Sequence, residues 1–197
     1  EEDLIPHQRV VVTLSSRGFI KRIPSRTYKP QHRGGRGIIG MVTREADAVR
    51  FLTVADTHDS LLFFTNRGKV FCLKCYELSA DSTRTAKGMA VVNLFPIAAD
   101  ERVTAMVAVN DFASVRSSGL IAIDLGVGDE LVATCMATDQ DDVILVASKG
   151  RSIRFAVSTL RATSRTSGGV RGIRLAPGDR VVDMDCAYPD AFVLVVT

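Results

Sequence analysis

The chain has 197 residues, 46% of them apolar, and a formal net charge of +3. That apolar share can bury a sizeable core, while no stretch approaches the roughly 18 apolar residues that a membrane-spanning helix needs. Glu1-Glu2-Asp3 stands where a signal peptide would have a basic start, and no long apolar run follows it, so no secretory signal is expected.

Taken in chain order, the apolar segments are short, β-branched or aromatic, and bounded by turn residues. Val10-Val11-Val12-Thr13-Leu14 leads to the turn Ser16-Arg17-Gly18 and the segment Phe19-Ile20-Lys21-Arg22. The Arg/Gly run Gln31-His32-Arg33-Gly34-Gly35-Arg36-Gly37 follows, then Phe51-Leu52-Thr53-Val54. The same order returns as Ser60 to Thr65, Asn66-Arg67-Gly68, Lys69-Val70-Phe71-Cys72, Gly88-Met89 and Val103 to Val107. Gly119-Leu120 and Leu131-Val132-Ala133-Thr134 come next, and a last set runs through Val143 to Ala147, Ser148-Lys149-Gly150, Arg151 to Arg154, Gly172-Ile173 and Val181 to Met184. No long amphipathic helix competes with these segments.

The two recurring markers, a polar-basic-Gly turn and a downstream Gly-apolar pair, define an internal repeat. Gly18 and Gly68 are 50 residues apart, and the downstream glycines Gly37, Gly88, Gly119 and Gly172 step by 51, 31 and 53. A repeat of this length made of about four short strands points to an all-β, propeller-like disc with about four blades. The expected units are about 1–59, 60–111, an incomplete 112–141, 142–190 and the start of another at 191–197, all in one domain. The short step predicts that about 20 residues are missing between 110 and 119, with Asp111-Phe112-Ala113-Ser114 at the join.

Charge is unevenly spread. Leu4 to Arg44 holds nine basic residues and no acid, and Val143 to Gly178 holds seven more, again with no acid. Acids concentrate between, as in Asp100-Glu101, Asp129-Glu130 and Asp139 to Asp142. Basic residues that follow the repeat reach the same edge of successive blades, and such a stripe suits a nucleic-acid backbone. With no Trp and three Tyr, the chain lacks the stacking platforms of single-strand binders, so duplex DNA held by its phosphates fits better. Within the Arg/Gly run, glycines let backbone amides and guanidinium groups face one anion together.

Little else in the sequence suggests chemistry. Cys72-Leu73-Lys74-Cys75 has zinc-knuckle spacing, but Cys135 and Cys186 form no second pair and no histidine stands at ligand spacing, so no metal is expected. Four cysteines without regular pairing fit a reducing cytosol. His58-Asp59 reads as a turn between strands, and no P-loop is present.

The run 31–37 resembles the glutamine-arginine-arginine-glycine-glycine-basic-glycine box of DNA gyrase A C-terminal domains, with His32 where that family usually has arginine. Thr57-His58-Asp59, Phe63 to Gly68, Arg84-Thr85-Ala86-Lys87-Gly88, Val115 to Gly119 and Gly169 to Arg174 resemble the same family. The resemblance implies a β-pinwheel, whose neighbouring blades exchange a strand and which wraps duplex DNA around its rim to direct negative supercoiling. It implies DNA contacts from Gln31, His32, Arg33, Gly34, Gly35, Arg36 and Gly37, and from Arg17, Lys21, Arg22, Arg67, Lys69, Arg84, Lys87, Arg116, Lys149, Arg151, Arg154, Arg171 and Arg174. Tyr28, Tyr76 and Tyr188 match no catalytic tyrosine motif of that family, and the resemblance implies that catalysis, ATP and magnesium belong to other parts of an ATP-dependent topoisomerase.

The implied partners are the rest of gyrase A and gyrase B in an A2B2 assembly, in a bacterial cytoplasm at the nucleoid, with the isolated domain monomeric and no membrane contact. Two alternatives share the expected architecture. One is the C-terminal domain of topoisomerase IV, against which the intact Gly34-Gly35-Arg36-Gly37 argues. The other is a propeller that binds protein partners.

Overall fold

Alternating apolar residues and a turn glycine give this chain its building block, an antiparallel hairpin. In the computed structural model, which describes residues 4–28, 47–80, 86–110, 115 and 118–188, strand β1 (Arg9–Ser15) pairs with β2 (Phe19–Pro24). The Gly18 amide donates to the Ser15 carbonyl at 3.0 Å, and Gly18 takes a φ of 81°, the left-handed position of a short hairpin loop. A one-turn 3-10 segment, Ser25–Thr27, ends the second strand. The chain later returns as β3 (Val49–Asp56), which lies antiparallel to β1.

The next unit repeats the plan with β4 (Ser60–Thr65), β5 (Lys69–Lys74), the exchanged strand β6 (Met89–Ala90) and the return strand β7 (Val103–Val109). Two-residue β8 (Leu120–Ile121) follows, then the hairpin β9 (Asp142–Ala147) and β10 (Ser152–Ala156), and the return strand β11 (Val181–Ala187). Three antiparallel sheets result, in the orders β3-β1-β2-β6, β7-β4-β5-β8 and β11-β9-β10. In each, the register shifts where the return strand passes the turn end of its hairpin, a bulge repeated with the fold. The described residues contain no α-helix.

Strand exchange joins the units. β6 belongs in sequence to the second unit but pairs with β2 of the first, Met89 opposite Ile20. In the same way β8 pairs with β5, Leu120 opposite Val70. The glycine ahead of each exchanged strand lets it lie close: a Cβ on Gly88 would sit 2.3 Å from the Ile20 carbonyl oxygen, and one on Gly119 would sit 2.7 Å from the Phe71 ring. At Gly88-Met89 and Gly119-Leu120 the Gly-apolar marker of the sequence is thus the exchanged strand itself.

The core lies between the first two sheets. Val10, Val12, Leu14 and Ile20 meet Leu61, Phe63, Phe71 and Leu73, with the Phe95 ring 5.1 Å from Phe63 and 5.0 Å from Phe71. β3 and β7 pack against each other. Burial pushes the Cys75 thiol up to about 11, and with the side chain fully enclosed it serves as a small apolar core residue.

Two expectations are corrected. Leu131 to Thr134, expected as a strand, lies outside every ladder, because no hairpin among the described residues pairs with it. The described residues form three sheets. Cys135 and Cys186 are joined in a disulfide, contrary to the expectation of unpaired thiols, because the segment after Leu131 runs beside β11. Their distance in sequence, 51 residues, hid that proximity.

Gly88→Ala meets both a left-handed φ of 82° and a backbone atom, whereas Gly18→Ala meets a φ of 81° and open space. Gly18→Ala is therefore expected to cost about 1 kcal/mol and Gly88→Ala at least about 2 kcal/mol. Urea unfolding of the two variants checks the order.

Candidate nucleic-acid interface

Each hairpin turn carries a basic residue at its tip, and an acid from the loop before the return strand holds the turn in place. In the first unit Ser16 Oγ and the Arg17 amide donate to Asp47 Oδ1 at 2.9 and 3.0 Å, and the Ser16 amide donates to the Ala48 carbonyl at 2.8 Å. In the last unit Ser148 Oγ and the Lys149 amide donate to Asp179 Oδ1 at 2.8 and 3.1 Å, and the Ser148 amide donates to the Arg180 carbonyl at 2.8 Å. The carboxylate is used by backbone and hydroxyl, so the basic side chain beside it is not neutralised. Arg17 is exposed and has no carboxylate partner among the described residues, and the Lys149 ammonium donates to the Pro177 carbonyl at 2.7 Å.

The middle turn is wired differently. Asn66 takes the serine position and exchanges hydrogen bonds with Arg102: its amide donates to the Arg102 carbonyl at 3.0 Å, and its Oδ1 accepts from the Arg102 amide at 2.9 Å. Buried Glu101 accepts from Thr65 Oγ1 at 2.5 Å and lies 3.5 Å from Lys69 Nζ. Arg67 pairs with Asp100, and Arg102 with Glu130 at 2.8 Å. This tip presents a basic residue already matched by an acid.

The remaining residues divide into three groups. Arg151, Arg171 and Arg174 are exposed and unpaired among the described residues, as a phosphate-binding role requires. Arg154 donates to Asp142 at 2.5 Å, and Lys87 sits 3.8 Å above the Phe19 ring centroid, both still partly open to solvent. Lys21 and Arg22 are corrections to the expected surface. Lys21 is 1% exposed, its Nζ donating to the Ala86 carbonyl at 3.1 Å, while Arg22 Nε donates to the Leu78 carbonyl at 3.1 Å. Both lie on β2, where Lys21 binds the residue run leading into β6 and Arg22 binds the segment after β5, so their side chains join these units at the junction. Gln31 to Gly37, Arg84 and Arg116 lie outside the described residues.

Sequence reading missed Asp47 and Asp179 as the residues that set the tips. The available signal was an acid two residues ahead of each return segment, at Asp47, Asp129 and Asp179. The His58-Asp59 turn is as read: Asp59 Oδ2 accepts from the Asp56 amide at 2.7 Å, and His58 stacks on His7 with centroids 4.0 Å apart.

The family model for the DNA gyrase C-terminal domain, beta-propeller, matches residues 9–56, 59–110, 107–134 and 141–187. The chain is 53% identical over 220 aligned positions to the DNA gyrase A protein of Dehalogenimonas lykanthroporepellens, covering 100% of this chain and 27% of that protein. It thus spans about a quarter of that relative's length. Among solved structures, the C-terminal domain of DNA topoisomerase IV superposes with a TM-score of 0.74 at 22% identity, over 94% of this chain and 63% of that one. A DNA gyrase A C-terminal domain superposes with a TM-score of 0.69 at 24% identity, over 90% and 64%. These two similarities establish the shared fold.

The anchoring acids titrate in a way that tests the turn geometry. Burial acts to raise the Asp47 carboxyl, but hydrogen bonds from Ser15, Arg17, Ser16 and Ala48 outweigh it and hold it below its ordinary 3.8. Asp179 is also held below 3.8, chiefly by the Ser148 hydroxyl, against a smaller effect of burial and with help from the Lys149 and Arg180 amides. Because folding lowers both, their contribution is full above the unfolded value and is lost as pH falls through the folded one. Asp47→Asn with Asp179→Asn is expected to lower stability near neutral pH and to flatten its decline between about pH 5 and pH 2. Thermal melts across that range read both effects.

Proposed function

The chain belongs to the DNA gyrase C-terminal domain family, and from that premise we propose that it binds duplex DNA at its hairpin tips and wraps it around the disc. The observation that carries this reading is the unequal use of charge. Asp47 and Asp179 are spent on backbone amides and hydroxyls, leaving Arg17, Lys149, Arg151, Arg171 and Arg174 without a carboxylate. Unmatched cations at equivalent tips of separate sheets suit repeated phosphates, and their release of counterions supplies affinity without reading sequence.

Bending DNA across several tips costs elastic energy, which the added phosphate contacts offset. In this reading the box at Gln31 to Gly37 fastens one end of the wrapped segment, and the chirality of the wrap directs negative supercoiling. The domain is non-catalytic; strand cleavage, ATP hydrolysis and magnesium belong to the rest of gyrase A and to gyrase B in an A2B2 assembly at the bacterial nucleoid. A topoisomerase IV role is the second reading, favoured by the shared fold and disfavoured by the intact Gly34-Gly35-Arg36-Gly37.

Sealing nicked circular DNA with ligase in the presence of the chain is expected to trap a positive change in linking number. Binding with no linking change rules out wrapping. Replacing Arg33 and Arg36 by alanine is expected to reduce that change far more than affinity, and equal losses of both would remove the box from its assigned role. Replacing Arg17, Lys149, Arg151 and Arg171 by alanine is expected to weaken binding broadly. The slope of log affinity against log salt should fall by about 0.9 per lost phosphate contact.

A further inference from the structure

The two complete sheets share one construction: a return strand, two hairpin strands, and an exchanged strand from the following unit. Applied to the third unit, that order identifies two segments with no hairpin of the described residues laddered to either. Residues 131–137 occupy the return position, following Asp129-Glu130 as β7 follows Glu101-Arg102. Gly172-Ile173 occupies the exchanged position, matching Gly88-Met89 and Gly119-Leu120.

Beyond the Leu131 amide, which donates to the Asn66 carbonyl at 3.0 Å, neither segment is paired. Residues 132–137 and 168–175 make no backbone hydrogen bond to a described residue, although their counterparts β6, β7 and β8 are all laddered. Gly172 instead packs on its own unit, where a Cβ would meet Leu145 Cδ1 at 2.5 Å. Thr134 Oγ1 is buried without a partner, and Asp129, at the position of Asp47 and Asp179, accepts no side-chain hydrogen bond from a described residue. Met136 and Val170 are 63% and 65% exposed, and the main core contains no residue of the third sheet.

The length of chain agrees with this pairing. Asp56 and Met89 are 33 positions apart, whereas Val109 and Leu120 are 11 apart, a difference of 22. The third family match, 107–134, is correspondingly short.

We propose that residues 131–137 and 170–175 flank an open hairpin position, and that it accepts a β-hairpin of about twenty residues in trans by strand addition on both sides. The occupant has the pattern of β4 and β5: inward apolar residues on two short strands, and a polar-basic-Gly turn whose amide Asp129 accepts. Unpaired backbone on the two segments supplies the ladder, and the exposed Met136 and Val170 supply apolar surface to cover. The inference stands independently of DNA binding.

The test uses a fluorescent synthetic peptide with the sequence of residues 58–76 of this chain, titrated into the whole chain, with hydrogen exchange followed by mass spectrometry. The expected result is saturable binding, with exchange slowed at least tenfold in 131–137 and 170–175 and unchanged in β1 to β5. Ala133→Pro, which removes a ladder donor from a segment outside every sheet, is expected to weaken binding at least tenfold. Protection appearing instead on β10, or only together with dimerisation of the chain, overturns the proposal. Because an isolated hairpin is marginally stable, the same sequence is also inserted after Asn110. A higher melting temperature with protection of the same two segments is expected, and unchanged exchange in both experiments overturns the assignment.

Discussion

A two-residue strand governs this architecture. β6 closes the first sheet and β8 the second, each contributed by the unit that follows, so neither four-stranded sheet is complete without its neighbour. An isolated hairpin is marginal in water, and the exchanged strand supplies both a further ladder and a chain connection across the junction. Close approach sets the requirements. Gly88 permits backbone contact with Ile20, and the buried ammonium of Lys21 reaches the Ala86 carbonyl in the segment leading into β6. A charge so deeply enclosed is tolerable only where polar atoms receive it.

The same linkage explains why the two ends of the molecule differ. Between the first two sheets, aromatic and aliphatic side chains from both hairpins interlock around Phe63, Phe71 and Phe95. The third sheet has three strands, with β10 at its edge, and buries far fewer apolar side chains, among them Val143, Ala147 and Ala187. Stability in such an array is carried by each unit together with its interface to the next, so a unit without its neighbour forfeits packing on that side.

Electrostatics are divided with equal economy. A net charge of +3 suggests a weakly charged molecule, yet some of its acids make their hydrogen bonds to backbone and hydroxyl groups and not to bases. Asp47 and Asp179 hold turns through amides and hydroxyls, and Glu101 is buried against Thr65 and Lys69. Where an acid does meet a base, as Asp100 meets Arg67, the tip is matched and contributes less field. Which hairpin tips stay basic follows from where the carboxylates beside them point.

Hairpins, turn glycines and the repeat were legible in the sequence because they depend on neighbours within a few residues: alternation, a polar-basic-Gly turn, and a glycine ahead of an apolar pair. Those features set the strands around Gly18, Gly68 and Gly150 and the spacing between units. Tertiary structure alone decided what each side chain faces. Lys21 and Arg22 read as surface cations, but carbonyls of Ala86 and Leu78 from the second unit receive them, and Leu131 to Thr134 read as a strand although no described residue ladders with it. Cys135 and Cys186 meet across 51 residues for the same reason. A strand's local pattern specifies its alternation, but its ladder and its exposure are supplied by segments distant in the chain, and those come together only when the units close on one another.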